Sequence, residues 1–166
     1  GFKALMNAGN LYGKEPKIII APGFSQLGAV GSEMLYWANY FLGMAIIDMP
    51  VGTTATAAKA ARGAGGTANY SNERAIVAFP WQKSYDPATD TYIAKPFSQF
   101  ISGVMGRVDT ENGFHWSPDN KELRTSKGTD VVMTSSAVHP DTDAQNLIDL
   151  GVVTILNEGA SGMRIW

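Results

Sequence analysis

The sequence contains no cysteine among its 166 residues. This absence excludes disulfides, thiol nucleophiles, zinc sites with cysteine ligands and iron–sulfur clusters. It leaves the cellular compartment open, because a reducing cytosol permits cysteine-free proteins without requiring them.

Charge is also scarce. Charged residues make up 17% of the chain and the formal net charge is -2, whereas globular domains usually carry about 25%. Thirteen Lys and Arg are scattered along the chain and outnumbered by fifteen Asp and Glu, so the sequence does not predict the basic patch expected of a nucleic-acid reader. Either glycine and alanine displace charged residues, or neighbouring molecules cover much of the surface, since interface cores are depleted in charge.

Long apolar segments are absent as well. The longest apolar run, residues 34–47, is interrupted by Asn39 and Gly43, and it is shorter than the roughly 20 residues of a membrane-spanning helix. We therefore expect no stable membrane insertion.

The N-terminus carries no signal-peptide pattern. It starts at Gly1 inside an apparent helix, which suggests a fragment of a longer chain.

Strand and helix patterns alternate along the first half of the chain. Short runs rich in branched residues predict strands at 17–21, 45–48 and 75–79, and helices are predicted at 27–42 and from 53 to 63. This alternation is typical of a mostly parallel sheet with helices on its faces. The length suits one domain, so we predict a single three-layer α/β domain over residues 1–166.

The middle of the chain departs from this alternation. Within residues 81–95, two segments flank residues 86–90, whose Asp and Pro favour a turn, so residues 81–95 predict a β-hairpin extension. Apolar residues at helical spacing then predict one face of a helix, namely Phe97, Phe100, Ile101, Val104, Met105 and Val108. The polar, turn-rich residues 109–129 predict a loop insertion.

The last third of the chain predicts three further elements. Residues 131–138 read as a strand, and Pro140 begins a helix that ends at Gly151. Residues 152–156 and 163–166 then predict a terminal hairpin.

Ser25 is the candidate nucleophile, because it lies between a strand and a helix, where a nucleophile elbow would lie. However, Leu27 stands where the G-x-S-x-G pattern has its second glycine. A hydrolase also needs a histidine base with an acid behind it. His115 and His139 are the available histidines, and Asp48 is a conceivable partner of His139.

The competing interpretation is that Ser25 caps the helix beginning near Leu27. A serine hydrolase using Ser25 therefore stays an alternative, as does a module that binds a small ligand at this helix start. We predict no catalytic residues, no cofactor and no metal. The glycines at 63–66 lack the Lys-Ser/Thr of a phosphate loop. Asp86 and Asp90 lack the glycine and terminal Glu of a calcium loop.

Four aromatic residues are candidates for a subunit interface, because aromatic side chains dominate contact energies. They are Trp81, Phe114, His115 and Trp116. Core packing is the competing explanation. Trp116 is the strongest of the four, since its sequence neighbours are so polar.

Several segments in a fixed order carry a family resemblance. They are residues 16–25, Tyr85-Asp-Pro87, Arg107-Val-Asp109, Gly113-Phe-His-Trp116 with its continuation to Glu122, and the closing segments 143–147, 151–155 and 163–166. From Leu5 to Trp166 the chain resembles the sheath protein of contractile phage tails and related particles. The resemblance implies a structural α/β domain with a subtilisin-like fold, in the middle of a longer polypeptide.

A subtilisin-like fold does not carry activity across by itself. Subtilisin places its triad in the order Asp, His, Ser, whereas here Ser25 precedes both histidines. The resemblance therefore implies a subunit without enzymatic activity.

The resemblance also implies partners. The full-length protein would bind copies of itself in a helical stack of rings, a tail tube and a baseplate. Its contraction would drive the tube through a cell envelope. Its place would be a virion tail or another contractile particle, assembled in the cytoplasm of a bacterial host, with no direct contact to nucleic acid. Phage, prophage-derived bacteriocin and other injectors all remain open.

Overall fold

A computed structural model describes residues 1–136, 138–157, 159 and 162–166. In chain order its elements are a 3-10 helix (Phe2–Asn7), α1 (Ala8–Tyr12), β1 (Ile18–Ile20), α2 (Gly28–Tyr40), β2 (Met44–Asp48), α3 (Ala55–Arg62), β3 (Ala75–Ala78), β4 (Gln82–Asp86), β5 (Thr91–Lys95), α4 (Phe97–Asn112), β6 (Gly128–Thr129), α5 (Asp143–Asp149), β7 (Val152–Val153), β8 (Ile155–Asn157) and β9 (Met163–Ile165).

The central sheet is parallel, as predicted. Its strand order is β1-β2-β3-β7, and Ile46 of β2 pairs with Ile20 on one side and Ile76 on the other. Parallel strands covered on both faces read as continuous apolar runs. Accordingly Ala45, Ile46 and Ile47 are all buried.

Helices cover both faces of this sheet. Ala45 and Ile47 pack with Met34, Trp37, Ala38 and Phe41 of α2 and its C-terminal end. On the same face, residues of α3 and α5 gather around Val77 of β3. Ile46 points the other way, as alternation along a strand requires, and packs with α4. The predicted three-layer α/β architecture is therefore confirmed.

The apolar face of α4 agrees with the predicted stripe. Phe97, Ile101, Val104 and Val108 are buried, while Phe100 and Met105 are partly buried against the same cluster. Among the described residues, this helix supplies four of the nine that are buried in the core on its side of the sheet.

Gly43 joins α2 to β2 at a point of close approach to β1. A Cβ atom at this position would lie 2.5 Å from the carbonyl oxygen of Lys17, a separation that a real Cβ contact does not reach. The absence of a side chain therefore lets the start of β2 come close to the start of β1.

Two hairpin extensions are present, in agreement with the predicted fold class. Strands β4 and β5 are antiparallel, and β8 pairs antiparallel with β9. In the first hairpin, Asp86 accepts hydrogen bonds from the Ala88 amide and the Thr89 hydroxyl. The Tyr85 hydroxyl donates to Asp90 at 2.7 Å. Both carboxylates therefore serve the turn.

The strand predicted at residues 131–138 is wrong for the described part of that segment. Residues 131–136 and 138 form no strand, and Ala137 lies outside the described residues. The reason is competition for the backbone, because the amide and hydroxyl of Thr134 both donate to Asp143 at the start of α5. These bonds connect the segment to a helix instead of a sheet.

Other boundaries differ from the sequence-based prediction. The first helical segment, which the sequence placed at the N-terminus, stops at Gly13, whose φ is 64°. In the region 109–129, α4 continues to Asn112 and β6 forms at the far end. The turn between β8 and β9 includes residues 158, 160 and 161, which lie outside the described residues. In the described part of the chain, the helices are too short or too polar to cross a membrane.

Candidate functional site

A buried polar cluster lies where the central strand β2 ends. Asp48 is the last residue of β2, Ser25 follows β1, and Ser98 lies in the first turn of α4. All three are almost completely inaccessible to solvent. Asp48 shares a face of β2 with Ile46, two residues earlier, so its carboxylate is directed toward α4.

The carboxylate of Asp48 accepts three hydrogen bonds. Its Oδ1 accepts from the Ser98 amide at 2.7 Å, and its Oδ2 accepts from the hydroxyls of Ser98 at 2.6 Å and Ser25 at 3.0 Å. The amide of Asp48 donates in turn to the Ser25 hydroxyl at 3.0 Å. Helix α4 has Pro96 at its N-cap and no capping side chain of its own. Asp48 therefore supplies the missing acceptor from another element, at the end of the helix where a negative charge is favoured.

Burial dominates the electrostatics of this cluster. Desolvation raises the pKa of the Asp48 carboxyl above its ordinary value of 3.8, and the hydrogen bonds from Ser98 and Ser25 oppose this rise. The neutral acid loses less on burial than the ion does. The native state therefore holds the Asp48 proton more tightly than an exposed aspartate would.

The raised pKa of Asp48 predicts that part of the free energy of unfolding depends on pH, and Asp48→Asn should remove that part. A raised native pKa contributes stability that is present below the unfolded value and lost as pH rises through the native value. The free energy of unfolding of the parent minus that of Asp48→Asn should therefore fall from pH 3.8 upward and then level off. Urea titrations of both proteins across this range measure it. A difference that grows with pH would mean that the hydrogen bonds outweigh burial.

The environment of Ser25 does not favour the hydrolase alternative. The Ser25 hydroxyl exchanges both of its hydrogen bonds with Asp48 and is fully buried, whereas a nucleophile elbow presents its hydroxyl to substrate. The Asp48 carboxylate accepts its hydrogen bonds from Ser25 and Ser98. The suggested pair of Asp48 with His139 is therefore not formed. His139 is exposed.

The capping role expected of Ser25 is also wrong. The N-cap of α2 is Leu27, and no side chain bonds to this helix start. Ser25 instead connects the loop after β1 to the end of β2.

The alternative of a small-ligand module at this helix start is not favoured either. The cavity beside it has a volume of about 190 Å³ and is lined by Gln26, Asp48 and Tyr70, among others. Pockets for small molecules usually enclose about 300 to 1,000 Å³. Within the described residues, acidic and histidine side chains form no group of three that could hold a metal ion.

The four candidate interface residues occupy two different environments. Trp81 is half-buried, and its indole nitrogen donates to the carbonyl of Met49 at 2.8 Å, which joins the β4–β5 hairpin to the end of β2. Phe114, His115 and Trp116 lie together in the loop after α4, where Phe114 is 89% and Trp116 52% exposed. The structure therefore brings three of the four candidates together.

The Phe114 ring is perpendicular to that of His115, and the His115 ring is tilted by 51° from that of Trp116. The centroids of Phe114 and His115 are 6.0 Å apart, and those of His115 and Trp116 are 6.4 Å apart. The ammonium of Lys121 lies 5.5 Å from the Trp116 ring, a favourable position for a cation. We call residues 109–121 the aromatic segment. It borders a groove of about 530 Å³ that also includes Leu42, Met44 and Met105.

Sequence reasoning missed Ser98 and the true role of Asp48. A signal was available, since a strand that ends in Asp and a helix that begins Pro-Phe-Ser both present groups that need partners at the carboxyl edge of the sheet. Nothing in the sequence shows that these two ends meet.

Comparison with known proteins finds similarity along the whole length of the chain. The family model described as the phage tail sheath protein central domain matches residues 3–166. The tail sheath protein of Burkholderia phage BcepMu is 35% identical over 168 residues, which cover 100% of this chain and 35% of the relative. A putative prophage major tail sheath protein of Pseudomonas aeruginosa strain UCBPP-PA14 is 28% identical, over 100% of this chain and 41% of that protein.

A solved structure has the same fold. A chain in the cryo-EM structure of the anti-feeding prophage baseplate, 6-fold symmetrised, superposes with a TM-score of 0.61 over 98% of this chain and 40% of that one, at 18% sequence identity. The present chain thus spans well under half the length of the curated relatives that it matches.

Proposed function

The chain belongs to the phage tail sheath protein family, and on this premise we propose that it forms the central body of a sheath subunit in a contractile tail. In the whole protein, copies of this body stack in rings around a tail tube, above a baseplate. The stack contracts and drives the tube through a cell envelope. The assembly takes place in the cytoplasm of a bacterial host and yields a virion tail or a related contractile particle.

One observation carries this proposal. The match to the central domain of the family extends over residues 3–166, so it includes the sheet, α4 and the aromatic segment together. The two sheath relatives are similar to the chain along its whole length. The chain therefore corresponds to the central domain of such a subunit, and the relatives that it matches are longer than this chain.

We assign the Asp48 cluster a structural role. Ser25, Asp48 and Ser98 satisfy one another's hydrogen-bonding groups at 2.6 to 3.0 Å and fix the first turn of α4 to the end of β2. Such a cluster rigidifies the body. A rigid body is what a contractile lattice needs, because its neighbours exchange between two arrangements while each subunit keeps its fold. The function requires no catalysis, no direct contact with nucleic acid and no cofactor.

The aromatic segment is the surface that we assign to contacts between subunits. Phe114 and Trp116 place two large apolar rings in solvent, and exposed aromatic side chains surrounded by polar residues are typical of interface anchors. Trp81 donates its indole N–H to the Met49 carbonyl within the body, so its part in a subunit interface stays a prediction.

Truncation of the aromatic segment should impair assembly without unfolding the domain. We expect Trp116→Ala, introduced into the full-length protein, to reduce the number of sheath tubes at least about tenfold, since loss of one interface anchor costs about 2 kcal/mol or more. Its free energy of unfolding should change by less than about 1 kcal/mol, because the ring is half exposed. Negative-stain microscopy counts the tubes, and urea denaturation measures the stability.

Tyr36→Ala is the matched control for this experiment. Tyr36 is 58% exposed, close to the 52% of Trp116, and it lies on α2. Tubes in normal number from Trp116→Ala, or equal losses from both variants, would remove the aromatic segment from the interface.

A further inference from the structure

A second surface feature lies beside α4. A cleft of about 380 Å³ separates the first two-thirds of α4 from the β4–β5 hairpin and residues 122–125. Its floor is apolar and includes Phe100, Val104 and Leu123, whereas Gly103 at its rim is exposed. The volume falls in the range of about 300 to 1,000 Å³ that accommodates bulky groups.

The cleft is basic on a chain that is otherwise acidic. Lys95, Arg107 and Arg124 line it together with a single carboxylate, that of Glu122, which gives a local charge of +2. The other ten Lys and Arg and fourteen Asp and Glu of the chain leave a charge of -4 elsewhere. The apolar floor and the positive rim of the cleft together favour an occupant that carries both a large apolar group and negative charge.

The aromatic segment has these two properties. Its carboxylates are Asp109, Glu111 and Asp119, which Lys121 offsets in part to a charge of -2. All three carboxylate residues are exposed. Between them stands Phe114, 89% exposed, a ring with no polar atom that gains by leaving water.

We propose that the cleft of one copy of this chain binds the aromatic segment of a second copy, with Phe114 on the apolar floor and the carboxylates facing the basic rim. This inference rests on the proposed function and identifies the partner surface for the same segment. Within one chain the segment borders the groove beside Leu42 and Met44, while the cleft is lined by other residues of α4. A separate copy therefore provides the partner.

A contact between two different patches need not be reciprocated by the same two copies, and without that reciprocity it is heterologous. A heterologous contact passes from copy to copy and builds a ring or an open helix, whereas an isologous contact stops at a dimer. This geometry is the one that a stacked sheath needs. The cations and carboxylates lie at exposed rims, so the contact weakens as salt screens them.

Two glycines on α4 give a matched pair of blocking variants. A Cβ atom added at Gly103 or at Gly106 meets no other atom within 4 Å, so a larger side chain fits the fold at either site. Gly103 lines the cleft and Gly106 does not. Gly103→Leu should therefore fill the cleft and prevent docking, whereas Gly106→Leu should leave docking intact.

Crosslinking provides the readout, because the chain has no cysteine. The Gln99→Cys variant, with its cysteine at the cleft rim, is mixed at high concentration with the Asn112→Cys variant, whose cysteine lies in the aromatic segment. The yield of the mixed disulfide is measured under mild oxidation. We expect at least a fivefold excess over the pair Gln99→Cys and Thr91→Cys, whose second cysteine lies in β5, next to Asp90 in the turn of the β4–β5 hairpin. Adding Gly103→Leu to the Gln99→Cys chain should abolish this excess, and Gly106→Leu should preserve it.

The outcomes separate this inference from the proposed function. No excess over the hairpin pair, or an excess unaffected by Gly103→Leu, would overturn the docking of the segment in the cleft. A larger yield with Thr91→Cys would assign the cleft to the hairpin instead. Each of these results leaves the proposed function standing if Trp116→Ala still lowers the number of tubes. If Trp116→Ala leaves the number of tubes unchanged, the proposed role of the aromatic segment in subunit contacts is wrong, whatever the crosslinking shows.

Discussion

Replacing Asp48 with alanine should lower the free energy of unfolding at pH 7 by roughly 3 to 5 kcal/mol. The substitution removes the acceptor of three hydrogen bonds, from the Ser98 amide, the Ser98 hydroxyl and the Ser25 hydroxyl. It also removes the cap of α4. Donors that stay buried without a partner lose their hydration and gain nothing in return. Urea denaturation of the parent and the variant measures the difference.

Asp48→Asn is the control for this prediction. The asparagine carbonyl can still accept from the Ser98 amide, and its amide group can donate to the serine hydroxyls. We expect a loss of less than about half of that caused by alanine. An alanine variant as stable as the asparagine variant would show that the cluster does not hold α4 in place.

Replacing Phe97 with alanine should cost roughly 3 to 5 kcal/mol. Phe97 is completely buried and packs at the start of α4 against Ile46 and Ala78 of the sheet. Its removal leaves a cavity that the surrounding strands and helix cannot close fully. Thermal and urea unfolding of the variant report the loss.

Phe114→Ala is the matched control, since it makes the same chemical change at a site that is 89% exposed. Its stability should stay within about 0.5 kcal/mol of the parent. Equal destabilisation by the two variants would contradict the placement of Phe97 in the core and of Phe114 on the surface.

Most of the layered fold could be predicted from the sequence, because its signals are periodic. The spacing of Phe97, Ile101, Val104 and Val108 defines one face of a helix without any tertiary information, and these four residues are buried. Branched runs such as residues 18–20 likewise predict strands covered on both faces. Such patterns depend only on neighbours in the chain.

What the sequence could not predict depends on contacts between distant residues. Residues 131–136 have the composition of a strand, yet Thr134 bonds to Asp143 nine residues later. The pairing of Asp48 with Ser98 joins residues 50 apart. Composition and spacing suggested that Ser25 was a nucleophile or a helix cap, and the geometry gives it neither role.

The aromatic segment was the part of the candidate site for which sequence signals were most useful. Rings set among polar residues predicted exposure, and Phe114, His115 and Trp116 are exposed. Trp81 could not be separated from them by sequence, because its bond to the Met49 carbonyl depends on where the β4–β5 hairpin meets β2.

Cryo-EM of tubes assembled from the full-length protein tests the central claim most directly. The account predicts that every subunit contains this body with its parallel sheet and α4 intact, and that Phe114 and Trp116 are buried against a neighbouring subunit. A protein that forms no tubes, or tubes in which both rings face solvent in every subunit, would contradict it.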